Sequence, residues 1–146
     1  MEKRIITLTK DNYSQYLPLE PVAFSFAELG AMGCPGEILI IDKGSIYSFH
    51  VYDFEDEIIN TIIPVLFESF RNDPPSSEWH EFYLGMGNHL WVNDSIYDKF
   101  NSRAVKYKGQ LGKLYQNWIN IVLKITCNKT CFMGILDIFR KKDTYK

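Results

Sequence analysis

No stretch of eighteen uncharged apolar residues occurs in this chain, which excludes a helical membrane span of ordinary length. Cysteine is scarce, three residues in all, too few for a disulfide framework. The N-terminus, MEKRIITLTKDNY, begins basic and turns polar by Lys10, without the apolar segment of a secretory signal. An odd cysteine count and no export signal make a reducing cytoplasm the expected compartment. Internal repeats, low-complexity tracts and linkers are also missing, so one domain over residues 1–146 is expected, with a basic tail at about 140–146 that frays. The chemistry-bearing motifs are absent too. There is no Walker A loop, no G-x-S-x-G, no kinase signature, no HExxH and no HxH.

What is present is an apolar and aromatic chain. Apolar residues make up 46% of it and charged residues 23%, which suits a folded globule rather than a disordered segment. Ten Phe, nine Tyr and three Trp point to strands and to a large core or an adhesive surface. The net charge of −2 hides a division along the chain. Residues 51–81 carry eight carboxylates against Arg71 alone, while residues 99–146 carry eleven Lys or Arg against Asp137 and Asp143. The two segments either pair within the fold or each leave a face that attracts the opposite charge.

The stretch GEILIIDKGSIYSFHVYDFEDEIINTIIPVLFESFR, residues 36–71, organises the rest. Glu37 to Ile41 reads as a buried strand, Asp42-Lys43-Gly44 as a turn, and Ser45 to Tyr52 as the returning strand. Asp53 is the expected N-cap of a helix whose apolar stripe runs Phe54, Ile58, Ile62, Leu66, Phe70. Pro64 interrupts that pattern and predicts a kink or two shorter helices meeting there. Upstream, Arg4 to Thr9 reads as a short strand and Val22 to Ala27 as a half-buried one, followed by a glycine-rich loop over residues 28–36. Downstream, Glu78 to Asn93 predicts a hairpin turning at Gly87-Asn88, or a single bulged strand. Asp94-Ser95 caps a helix reaching about Val105, and the spacing of Leu111, Leu114, Tyr115, Trp118, Ile119, Val122 and Ile125 predicts the best-defined helix of the chain. Strands early and helices late give an α+β expectation: a mostly antiparallel sheet with helices packed on one face.

The candidate site residues fall into three groups. His80 and His89 flank the Gly85-Met86-Gly87 break; with an acid from a helix start they could bind metal or do acid–base chemistry, and with Asn88 they are the candidates for a ligand pocket. Such a pocket lies, on this reading, between the Gly33–Gly36 loop and Trp79–Trp91. Cys127 and Cys131 stand one helical turn apart and could bridge or bind metal, but with no second pair or His cluster near them in the sequence they are read as structural thiols, while Cys34 precedes a proline in the glycine loop. Arg103, Lys106, Lys108, Lys113 and Lys124 are interleaved with Tyr107, Tyr115 and Trp118, a pattern that can track a nucleic-acid backbone. Tyr115 and Trp118 belong to the apolar stripe, however, and a pI near 5.9 disfavours nucleic acid. No metal or cofactor is expected.

The start LTKDNYSQYL resembles the opening of acyltransferase domains, but the glycine-rich pyrophosphate loop of those enzymes is absent and the resemblance implies nothing further. In size, acidity and aromatic richness the chain is similar to the immunity proteins that inhibit secreted bacterial nuclease toxins. The leading expectation is a non-catalytic module that presents Asp53, Glu55, Asp56, Glu57, Glu78 and Glu81 to a basic protein partner. The competing expectation is an enzyme or small-ligand binder using His80, Asn88 and His89.

Overall fold

In the computed structural model, residues 4–27, 36–66 and 78–126 are described. Its frame is a six-stranded sheet in the order β1-β4-β3-β2-β6-β5. The strands are β1 (Ile5–Thr7), β2 (Ala23–Ala27), β3 (Glu37–Asp42), β4 (Ser45–His50), β5 (Trp79–Tyr83) and β6 (Asn88–Asn93). Every pairing is antiparallel except β1 with β4, which is parallel with Ile5 opposite Ile46. Among the described residues the longer helices are α1 (Asp56–Ile62), α2 (Asp94–Ala104) and α3 (Leu111–Thr126). The α+β class and the mostly antiparallel sheet read from the sequence are what the structure has.

The β3–β4 hairpin forms where turn chemistry and β-branched runs placed it. Asp42 pairs with Ser45, leaving Lys43 and Gly44 as a two-residue turn with φ of 48° and 78°. Positive φ at both central positions matches the twist of the flanking strands, and glycine adopts it without steric cost. The β5–β6 hairpin turns one or two residues earlier than Gly87-Asn88, through Gly85-Met86-Gly87, with the Asn88 N–H donating to Gly85 O at 3.0 Å. Asn93 caps α2, its side chain accepting from the Ser95 N–H at 2.9 Å, so the cap sits one residue before Asp94.

Alternation divides the sheet residues between two apolar clusters. Phe24, Phe26, Ile38, Ile40, Phe49 and Trp91 face one side, where Ile59, Ile62 and Ile63 of the α1 region cover them together with Tyr13, Tyr16 and Leu17. Ala23, Ile41, Ile46, Leu90 and Val92 face the other, against Ile96 and Phe100 of α2 and Leu114, Trp118 and Val122 of α3. The expected packing of helices on one face describes the α2–α3 pair, and α1 covers the opposite face. Coverage on both sides also corrects the reading of β2 as half-buried. Four of its five residues are buried, Ser25 included, because it is an inner strand under helices on each side.

The helix after β4 starts later than an N-cap at Asp53 implies, and it breaks at Pro64. Val51 to Asp53 form a 3₁₀ turn, the Phe54 N–H donating to Val51 O at 3.1 Å, which moves the N-cap from Asp53 to Glu55. Ile63, immediately before Pro64, leaves the helical region with φ −148° and ψ 88°. The proline ring excludes αR for the residue before it, and helix resumes at residues 64–66. Two pieces meeting at Pro64 is the second of the two predicted outcomes. The loop over residues 28–35, the helix end at Asn72–Ser77, Cys34, Cys127, Cys131 and the 140–146 tail lie outside the described residues.

Candidate functional site

The β4–α1 connection makes an acidic corner. Strand β4 ends at His50, the 3₁₀ turn follows, and α1 begins at Asp56. Phe54 anchors the corner from below, its ring 5.4 Å from Phe49 and 5.9 Å from Tyr13, both in edge-on contact. With that one side chain turned inward, its neighbours Tyr52, Asp53, Glu55, Asp56 and Glu57 are exposed. Asp56 and Glu57 occupy the first turn of α1, where the helix dipole favours carboxylates, so part of this acidity has a purely structural cause. The four carboxylates form no ion pair among the described residues.

Tyr52 is a residue that sequence reasoning missed. It is 69% exposed, yet its ring lies against Gly36, where an added Cβ would stand 3.0 Å from Cε2. The Val51 N–H donates to Gly36 O at 2.8 Å, which sets the two segments in register. The missing Cβ of Gly36 and its φ of +85° together create the seat for the ring. The signal was available in principle: extending the β3–β4 pairing by one residue past Glu37 and His50 puts Gly36 beside Val51, next to Tyr52.

Glu78 and Glu81 do not join this corner. They belong to the β5 edge, four strands from β4, or about 19 Å at the usual strand spacing. Glu78 is exposed at the start of β5, while the Glu81 carboxylate is hydrogen-bonded to Nδ1 of His89. The acidic surface expected from six residues therefore reduces to Asp53, Glu55, Asp56 and Glu57.

His80 and His89 are not brought together either. The register pairs Tyr83 with His89 and His80 with Val92, so the two histidines project from opposite faces of the sheet. His80 stacks on Tyr97 of α2 with ring centroids 3.8 Å apart, and its Nε2 lies 3.0 Å from Asp94 Oδ1. His89 stacks on Phe26 at 5.0 Å on the α1-bearing face. The Asn88 side chain donates to Gly85 O at 3.1 Å and so serves the hairpin turn. A single pocket lined by His80, Asn88 and His89 does not form, because strand parity separates the histidines. Near His89, Nε1 of Trp91 is buried without an acceptor among the described residues, directly across the ladder from Glu81. Among the described residues no three His, Cys, Asp or Glu side chains are grouped so that they could hold a metal ion.

Of the basic segment, Trp118 is 1% exposed and belongs to the core, which removes it from any base-stacking surface. Lys106 lies 5.0 Å over the ring of Tyr107. No helix among the described residues is long and apolar enough to cross a membrane. The chain matches no family model, and no curated protein or solved structure is detectably similar to it.

Proposed function

We propose that this protein is a non-catalytic interaction module that presents the β4–α1 corner to a basic protein partner, as an immunity-type inhibitor does. The observation that carries this reading is the corner itself. Four exposed carboxylates form no ion pair among the described residues, and they follow directly in the chain on an exposed tyrosine seated on a glycine. An aromatic anchor with a charged rim is the arrangement that concentrates binding energy in protein interfaces. Its single sign selects the partner and speeds encounter. The test is capture of purified basic nuclease domains by the immobilised protein across a salt series. Binding that weakens with salt and is lost in Asp56→Lys/Glu57→Lys supports the proposal. Binding indifferent to that reversal contradicts it.

A second reading, a small-ligand site on the α1-bearing face, rests on the buried Trp91 N–H beside the Glu81–His89 pair. A buried donor without an acceptor is costly, and a ligand acceptor would satisfy it. Thermal-shift screening of small carbonyl and carboxylate compounds against the protein and its Trp91→Phe variant checks this reading. A compound that stabilises only the parent protein supports it, and equal stabilisation of both removes it.

A further inference from the structure

A second charged corner, of opposite sign, joins α2 to α3. Residues 103–113 hold Arg103, Lys106, Lys108 and Lys113 and no carboxylate. All four cations are exposed and form no ion pair among the described residues. The corner is tightly wound, with Lys108 N–H donating to Val105 O at 3.0 Å and Gln110 N–H to Tyr107 O at 2.7 Å. Buried Ala104 and Leu114 fix it to the core from either side. At its surface Val105 and Leu111 are 61% and 47% exposed.

The two corners occupy the same end of the sheet. Strands β4 and β5 run in the same direction, since the three antiparallel pairings β4–β3, β3–β2 and β2–β6 are followed by a fourth, β6–β5. The acidic corner follows the end of β4. Helix α2 starts at the opposite end of the sheet and runs back along β5, passing His80 with Tyr97 and Phe82 with Phe100, so the α2–α3 turn arrives where β5 ends. The tip of the β5–β6 hairpin is at this end too. Five of the seven large apolar residues exposed among the described ones belong to this end of the sheet: Tyr52 at the acidic corner, Tyr83 and Met86 at the β5–β6 hairpin, and Val105 and Leu111 at the basic corner. An acidic corner on one face and a basic corner on the other, each with exposed apolar residues beside it, is self-complementary under a two-fold axis.

We infer that this end of the sheet is a homodimer interface, in which the acidic corner of one copy docks on the α2–α3 corner of the other and the reverse contact closes the pair. The inference rests on the same open acidic corner as the proposed function, and a basic partner must then displace the second copy. A homodimer accounts for both corners at once, because each supplies the charge that the other lacks.

Sedimentation velocity over a concentration and salt series tests the inference, with circular dichroism confirming that each variant is folded. The parent protein is expected to form a dimer that dissociates as salt rises. Glu55→Lys/Asp56→Lys/Glu57→Lys and Lys106→Glu/Lys108→Glu/Lys113→Glu each place like charges opposite one another. Each is expected to weaken self-association at least tenfold. Mixed in equal amounts the two variants are expected to form a heterodimer, since each then carries the charge the other's corners need. A parent protein that stays monomeric at all concentrations, a dimer unaffected by either reversal, or a mixture that fails to associate overturns the inference. A monomeric parent that still captures basic nuclease domains sinks the dimer and leaves the proposed function standing.

Discussion

Replacing Gly36 by alanine, with Gly44→Ala beside it, tests how the aromatic anchor of the acidic corner is held. Both glycines lie in the left-handed region, at φ +85° and +78°. An L side chain there costs about 1–2 kcal/mol. Beyond that shared strain the positions differ. A Cβ at Gly44 meets nothing within 4 Å, whereas one at Gly36 stands 3.0 Å from Cε2 and 3.2 Å from Cδ2 of Tyr52. The ring is exposed and can swing aside, so its displacement forfeits a surface contact rather than core packing. Urea unfolding is expected to show a loss of about 1–2 kcal/mol for Gly44→Ala. Gly36→Ala is expected to lose up to about 1 kcal/mol more, the scale of forcing one side chain off its preferred rotamer. In a Tyr52→Ala background the two substitutions become equal. Capture of a basic partner follows a different pattern, weakened by Gly36→Ala and untouched by Gly44→Ala. If the excess at Gly36 survives removal of Tyr52, the ring is not its source. If both substitutions are neutral, the argument from left-handed backbone is wrong.

Other substitutions probe the remaining parts of the frame. Trp118, 1% exposed under the α2–α3 side of the sheet, is expected to cost about 3–5 kcal/mol on truncation to alanine, measured by urea or thermal unfolding. Asn93→Ala removes the acceptor of the Ser95 N–H at the start of α2 and is expected to cost about 1 kcal/mol, while Asn93→Asp keeps the cap and most of the stability. Asp42 is 4% exposed and its Oδ2 accepts the Glu20 N–H at 2.9 Å, so Asp42→Ala is expected to cost about 1–3 kcal/mol. Asp42→Asn keeps an acceptor for the Glu20 N–H, so it is expected to be the milder change in the same assay.

Local signals in the sequence were read well and long-range ones were not. The β3–β4 hairpin, the break at Pro64 and the amphipathic α3 are each written within fewer than twenty residues, where turn chemistry, a missing N–H and apolar spacing act directly. The parallel pairing of β1 with β4 joins segments some forty residues apart and leaves no local trace. That β2 is buried on both faces depends on its place in the strand order, which its own alternation does not reveal. The histidines show the same limit. Alternation within β5 correctly put His80 and Phe82 on one face and Trp79 and Glu81 on the other. The face taken by His89 depended on the hairpin register, and with Tyr83 opposite His89 a pocket built from both histidines is lost. The acidity of the β4–α1 corner was legible as composition. Its separation from Glu78 and Glu81 followed only from strand order.

The central claim, that Asp53, Glu55, Asp56 and Glu57 are open to a basic partner, is tested most directly by the association rate constant measured against ionic strength with a captured basic nuclease domain. The account predicts a rate that falls steeply as salt rises, and at low salt a drop of at least about tenfold for Asp56→Lys/Glu57→Lys with a smaller change in dissociation. An association rate that is flat with salt and equal in the reversed variant would contradict it.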